Sequence, residues 1–258
     1  MQVEFDRGPT AAMASLFMEH PDYTPVKDFF WFNWGPVFYR GRLNKSARVL
    51  LVASDPGPTE RIGDRALIGN AGQRVQGFLA KIGLNKSYIC LNGFIYALHP
   101  SHLGDGLKLL EDPAHTAWRN KVFDAATGPK LEAIVAFGVV AQKAVELWDG
   151  KGDVPVFETY HPSYRFSDQK LTDDWNRVIT ELRKIVTKDR GAKKGLPLYH
   201  EDFVEEDYAP IPSRDLSFGV APFLGDEHWH RTGSHGGMNS VSRPPDDDFT
   251  LTWKSPQI

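Results

Sequence analysis

Four short apolar runs separated by helical patterns constrain this chain more than any other feature. ARVLLVA (47–53), SYICLN (87–92), EAIVAF (132–137) and VPVFETY (154–160) each read as a buried strand. Helical patterns cover 72–82, 112–126, 140–148 and 171–188. Strands alternating with helices predict the α/β class, as a three-layer α/β/α domain. Its central, mainly parallel sheet is expected to have four strands, with helices on both faces. In such sheets ligands bind at the carboxyl ends of the strands. That rule nominates one edge, built from the segments that follow Ala53, Cys90, Phe137 and Phe157.

The predicted domain spans 1–190. From Gly191 periodicity fades, and EDFVEED and RPPDDD mark 191–258 as an acidic, loop-rich extension, packed on the domain or partly disordered. Residues 196–258 hold 4 basic and 11 acidic side chains, whereas residues 1–195 hold 26 and 22. The net charge of −3 is a poor nucleic-acid signature, but the mildly basic body can still present a positive face to phosphates. Cys90 is the single cysteine, so this chain can form neither an internal disulfide nor a thiolate-bound cluster; it reads as a buried strand residue. His228, His230 and His235 surround Trp229 without a metal-binding spacing and read as loop residues. FFWFNW (29–34) is expected to pack on the sheet as a helix and loop, with an aromatic surface for bases as the alternative. No apolar segment follows a basic start and no run approaches 18 apolar residues, so the expected compartment is the cytoplasm, without a membrane partner.

The nominated edge carries polar residues suited to chemistry. After the first strand come Asp55, Pro56, Gly57 and Pro58, a stiff turning loop. A carboxylate there can orient water or stabilise a cation, although an Asx-turn or helix cap explains it equally well. GNAG (69–72) opens a helix whose amides can approach an anion such as a DNA phosphate. Asn92 ends the second strand, and its amide offers the donors and acceptor that match a pyrimidine edge. His161, Pro162 and Ser163 leave the fourth strand, so the imidazole stays at the rim while Tyr164, Arg165 and Phe166 project outward.

With these residues in place, 47–188 resembles the uracil-DNA glycosylase superfamily, in particular its bacterial and archaeal branches. ASDPGPTE (53–60) is similar to the family pattern G-E-A-P-G-x-x-E, and ALIGNAG (66–72) to P-F-V-G-x-A-G. IGL (82–84) with YICLN, then FGVVAQKAV (137–145) and YHPSYR (160–165), follow in the family's order. The chain departs from the branch with an iron–sulfur cluster, because that branch uses four cysteines. Asp55 stands where the branch with G-Q-D-P-Y has its water-directing aspartate. Leu67 replaces the aromatic that stacks on the base, and Phe94 is one substitute.

The resemblance implies a monofunctional uracil-DNA glycosylase that flips uracil from DNA and hydrolyses its N-glycosidic bond, leaving an abasic site for base excision repair. Asp55 would orient the attacking water, and His161 would donate to the departing base. Asn92 would read its edge, Glu60 would exclude a methyl at C5, and Ser54, Leu67 and Phe94 would line the base. Ser163, Tyr164, Arg165, Phe166, Gly69 and Gly72 would meet DNA. No metal and no organic cofactor are expected; the partner is uracil-containing DNA, single- or double-stranded, and the enzyme a monomer. The alternative is a protein of the same fold that binds uracil or abasic DNA and traps it covalently. A small-molecule hydrolase is disfavoured because the chain has no G-x-S-x-G nucleophile turn.

Overall fold

The computed structural model describes residues 4–164, 166–193 and 195–217. The expectations for Arg165, for the three clustered histidines and for most of the acidic extension fall outside the described residues.

In chain order the elements are α1 (Ala11–Met18), β1 (Phe30–Trp31), β2 (Tyr39–Gly41), β3 (Val49–Ala53), α2 (Pro58–Gly63), α3 (Asn70–Lys81), β4 (Tyr88–Asn92) and β5 (Ala97–Leu98). Then follow α4 (Leu103–Leu110), α5 (Pro113–Ala126), β6 (Ala133–Phe137), α6 (Gly138–Glu146), β7 (Val156–Thr159) and α7 (Asp168–Ile185). The main sheet has the order β2-β4-β3-β6-β7. Strands β4, β3, β6 and β7 are parallel and correspond to the four runs read from the sequence. The sheet nevertheless has five strands, because β2 pairs antiparallel with β4 at the edge. Three residues are too few to show an alternating pattern. Gly41, at φ +99°, lets this strand lie against β4, where a Cβ would meet the Tyr88 carbonyl oxygen at 2.6 Å.

Burial explains why β3, β4 and β6 read as continuous apolar runs. The fourth run, expected to be buried as well, forms the sheet edge as β7, with Val156 37% exposed and only Thr159 of its residues buried. Leu50, Val52, Ile89, Leu91, Ile134 and Ala136 face one core with Met13 and Phe17 of α1, Val122 and Phe123 of α5, and Val140 of α6. Their alternates Val49, Leu51, Tyr88, Cys90, Val135 and Phe137 face a second core with Val75 and Phe78 of α3 and Trp175 of α7. Side chains alternate across a strand, so two covered faces require both sets to be apolar. The helices start where their caps direct: Asp112 accepts from Ala114 N and His115 N for α5, and Ser167 accepts from Lys170 N for α7.

A further local expectation changes, and of the two alternatives for the extension, packing on the domain holds over the described residues. The aromatic stretch 29–34 does not form a helix: it ends a 3₁₀ turn, enters β1 and turns at Trp34, whose N–H donates to Trp31 O at 2.9 Å. Beyond Gly191, the described part of the extension packs closely on the body. Lys81 pairs with Asp207 at 2.8 Å, and the fully buried Arg40 pairs with Asp215 at 3.4 Å. Tyr88 Oη donates to the same Asp215 carboxylate at 2.6 Å.

Candidate active site

Parallel strands end on a common edge, and their register fixes which residues meet there. Ala53 lies opposite Asn92, and Phe137 opposite Thr159. Asp55 and His161 therefore lie two residues beyond the ends of β3 and β7, and Asn92 ends β4 on the same edge. With strands about 4.8 Å apart, β3 and β7 are separated by two spacings, roughly 10 Å, with β6 between them. The segments after the strands are stitched together, since Gly93 N donates to Ala53 O at 2.8 Å and Phe94 N to Ser54 O at 2.9 Å.

Asp55 Oδ2 accepts from Leu98 N at 2.9 Å, which ties it to β5. Burial pushes its pKa up to about 6, against the opposing hydrogen bonds from Ser54 and Leu98 and with added repulsion from Glu60. An aspartate with this pKa is ionised at neutral pH yet can take up a proton. His161 is pushed down to about 4 by burial alone, so its ring is neutral at pH 7. Its Nδ1 accepts from Ser163 N at 3.2 Å. A backbone amide can only donate, so the ring proton of the neutral imidazole sits on Nε2, which becomes the free donor. Asn92 is buried, and among the described residues neither its Oδ1 nor its Nδ2 has a hydrogen-bond partner. A buried amide with both ends unused is costly unless something else occupies the position.

The loop between β3 and α3 has a different role from the one expected. Glu60 is buried, with Oε1 accepting from Ile68 N (2.8 Å) and Gly69 N (2.9 Å) and Oε2 from Gly57 N (3.0 Å). Its carboxylate thus holds the two halves of the loop together and is not free to crowd a base. At the start of α3, Gly69 N is engaged by this side chain. Gly72 serves packing: a Cβ there would lie 1.7 Å from the Leu67 carbonyl oxygen. Leu67 itself is held at φ +55°, a strained position for a side chain of this size. Phe94 is corrected too. Only 1% exposed, it packs edge-on against Phe30 at 5.2 Å inside the first core, so it has no open face for stacking.

On the far side of the edge, Tyr164 stacks on Tyr160 at 4.4 Å and meets Phe166 edge-on at 5.4 Å. Phe166 is 90% exposed, and Ser163 is exposed beside it.

The chain matches the family model for the Uracil DNA glycosylase superfamily over residues 40–183, more than half of its length. It belongs to the uracil-DNA glycosylase superfamily. No curated protein sequence matches it. Membership points to a DNA glycosylase, a hydrolase of N-glycosyl bonds, with DNA as its partner.

Two residues that shape this superfamily member's site, Gly138 and Arg74, are not singled out by the sequence. Gly138, at φ +79°, lets the β6–α6 turn approach His161, whose Cβ would lie 3.1 Å from a Cβ at that position. Arg74 donates to Pro162 O at 3.1 Å and to Tyr208 Oη at 3.0 Å, and its guanidinium lies 4.3 Å over Phe203. It clamps the histidine loop to the C-terminal segment. Only the positive φ of Gly138 had a sequence signal, a glycine directly after a strand. Among the described residues no group of three or more His, Cys, Asp or Glu is placed to hold a metal, and no helix is long and apolar enough to cross a membrane.

Proposed function

We propose that the chain is a monofunctional uracil-DNA glycosylase. The observation that carries this is the buried Asn92 amide, unpartnered at both ends among the described residues, on the strand edge it shares with Asp55 and His161. An enzyme acting on a base must first extrude it, at a cost of a few kcal/mol. Asn92 then donates to uracil O4 and accepts from N3–H; cytosine presents the reverse pattern and leaves the amide mispaired. As the C1′–N1 bond breaks, its electron pair moves onto the pyrimidine, and negative charge gathers at O2. The neutral His161 donates from Nε2–H to that oxygen. Asp55 orients a water whose oxygen bonds to C1′ while the carboxylate stabilises the cationic sugar and receives the proton. This hydrolysis requires no metal or organic cofactor. Tyr164 and the exposed Phe166 prop the gap left in the stack. Glu60 acts by holding the loop, a positioning role.

Covalent trapping by His161 is the less favoured reading, because Nδ1 is committed to Ser163 N–H and Nε2 carries a proton, leaving no ring lone pair to attack C1′. The test is release of uracil from an oligonucleotide with a single uracil, with EDTA present, scored as alkali-labile sites. Cleavage at the uracil is expected. Asp55→Ala and His161→Ala should each slow single turnover by about 10²-fold or more. Unchanged rates for both would remove the mechanism, and a DNA adduct that survives denaturation without free uracil would favour trapping. Asn92→Asp should shift base preference towards cytosine.

A further inference from the structure

The ribbon formed by β1 and β5 is tied directly to Asp55 through the Leu98 N–H, yet the reaction just described uses none of its side chains. Its two faces differ. Phe30 points inward, edge-on to Phe94 and to Tyr23 at 5.2 and 5.1 Å, and anchors the ribbon in the core. Trp31 and Phe32 remain 36% and 38% exposed. Around Trp31 the rings form a continuous ledge: Trp34 at 4.9 Å, His99 at 4.9 Å, then His102 at 5.8 Å from His99 and Phe29 stacked on His102 at 5.0 Å. His99 is bound to Ser101 at 2.6 Å and His102 to Asp105 at 3.0 Å, so the ledge is preorganised.

A contiguous, partly exposed aromatic patch marks an interaction surface more often than isolated exposed rings do. The ribbon that carries this ledge is bonded to Asp55 through Leu98 N–H, in a protein from a DNA-acting superfamily. We propose that the ledge is a stacking platform for unpaired bases flanking the target nucleotide, which makes single-stranded DNA the preferred substrate of the proposed glycosylase. A duplex keeps its base faces stacked internally and offers nothing to these rings, whereas every unpaired base has a face to give, whatever its sequence. The proposal rests on the glycosylase reading for the purpose of the bound strand. The binding itself is tested without uracil.

The experiment measures fluorescence anisotropy of labelled oligothymidine and of a uracil-free duplex with the full chain, across a salt series. Stacking contributes about 1–3 kcal/mol per base, so Trp31→Ala with Trp34→Ala should weaken single-strand binding at least tenfold. Duplex binding should change by less than about twofold. Loss of stacking leaves phosphate contacts alone, so the dependence on salt should keep its slope. The double substitution to Phe should retain most of the affinity. Trp31→Ala alone, at an exposed position, serves as a second variant should the double variant unfold. Unchanged single-strand affinity, an equal loss on duplex, or an equal loss in the Phe variant would each overturn the platform. Absent uracil release with intact, tryptophan-dependent strand binding would reject the glycosylase reading and leave the platform standing.

Discussion

Asp55 and His161 are displaced in opposite directions by the same cause. Burial disfavours whichever form is charged, so the carboxyl holds its proton up to about 6 and the imidazole loses its proton by about 4. At neutral pH the imidazole is therefore neutral, while Asp55 is still ionised because about 6 lies below 7. The rate should rise with an acid limb near pH 6 as Asp55 ionises, and His161 should add no further limb above it. Asp55→Asn should abolish that limb. The linkage to stability has a definite sign. Between the unfolded carboxyl value, about 3.9, and the folded value, the native state binds the extra proton, so this residue's contribution declines as pH rises through that window. Asp55→Asn, which keeps an acceptor for Leu98 N–H, should therefore raise stability at pH 7 by about 1–3 kcal/mol. The gain should vanish near pH 4, as read by denaturant unfolding at the two pH values. A variant that is no more stable at pH 7 would show that the carboxylate is well solvated. His161 contributes in the opposite sense: its neutral form is favoured on folding, so stability gained there is lost as pH falls from about 6.5.

At the scale of elements, loops carry the chemistry and backbone contacts fix the loops. Glu60 satisfies three amides with one carboxylate, and bonds to a charged acceptor are the stronger kind. Glu60→Ala leaves those amides without their partner and should cost about 3 kcal/mol or more. It should also lower the rate, because Asp55 shares the loop. Rescue of stability by Gln without rescue of the rate would assign Glu60 an electrostatic part besides positioning. Gly138→Ala tests the other side of the edge. Its φ of +79° penalises any side chain, by about 1–2 kcal/mol, and the new Cβ would press on His161. The expected outcome is a fall in single-turnover rate with little change in DNA affinity. The strands and long helices were legible because each repeats a pattern over four or more residues. β2 and β5 were not, since two or three residues cannot display a period and pair only because a longer strand or ribbon offers an edge.

Across the whole molecule, charge segregation acquires a structural cause. Two acidic residues of the C-terminal stretch are buried against cations of the body, Asp207 on Lys81 and Asp215 on Arg40, and Tyr199, Tyr208, Ile211 and Leu216 are buried with them. The described part of that stretch therefore completes the domain. Truncation after Lys188 would leave Arg40 buried without its carboxylate, a loss of the kind that costs about 3–5 kcal/mol. The shortened chain should be insoluble or largely unfolded by circular dichroism. Truncation after Ser217 should retain a cooperative unfolding transition. If both truncations unfold alike, the buried pairs are not what the stretch contributes.

By itself the sequence determined the layers, the parallel strands and the edge that carries Asp55, Asn92 and His161, because hydrophobic periodicity and strand-end position are local properties of the chain. Tertiary structure alone decided that Glu60 faces backbone amides, that Phe94 is walled into the core, that Gly72 and Gly138 permit close approach, and that Asp207 and Asp215 belong to the body. Each of those depends on partners distant along the chain, and a side chain's identity does not say which groups folding will bring within reach.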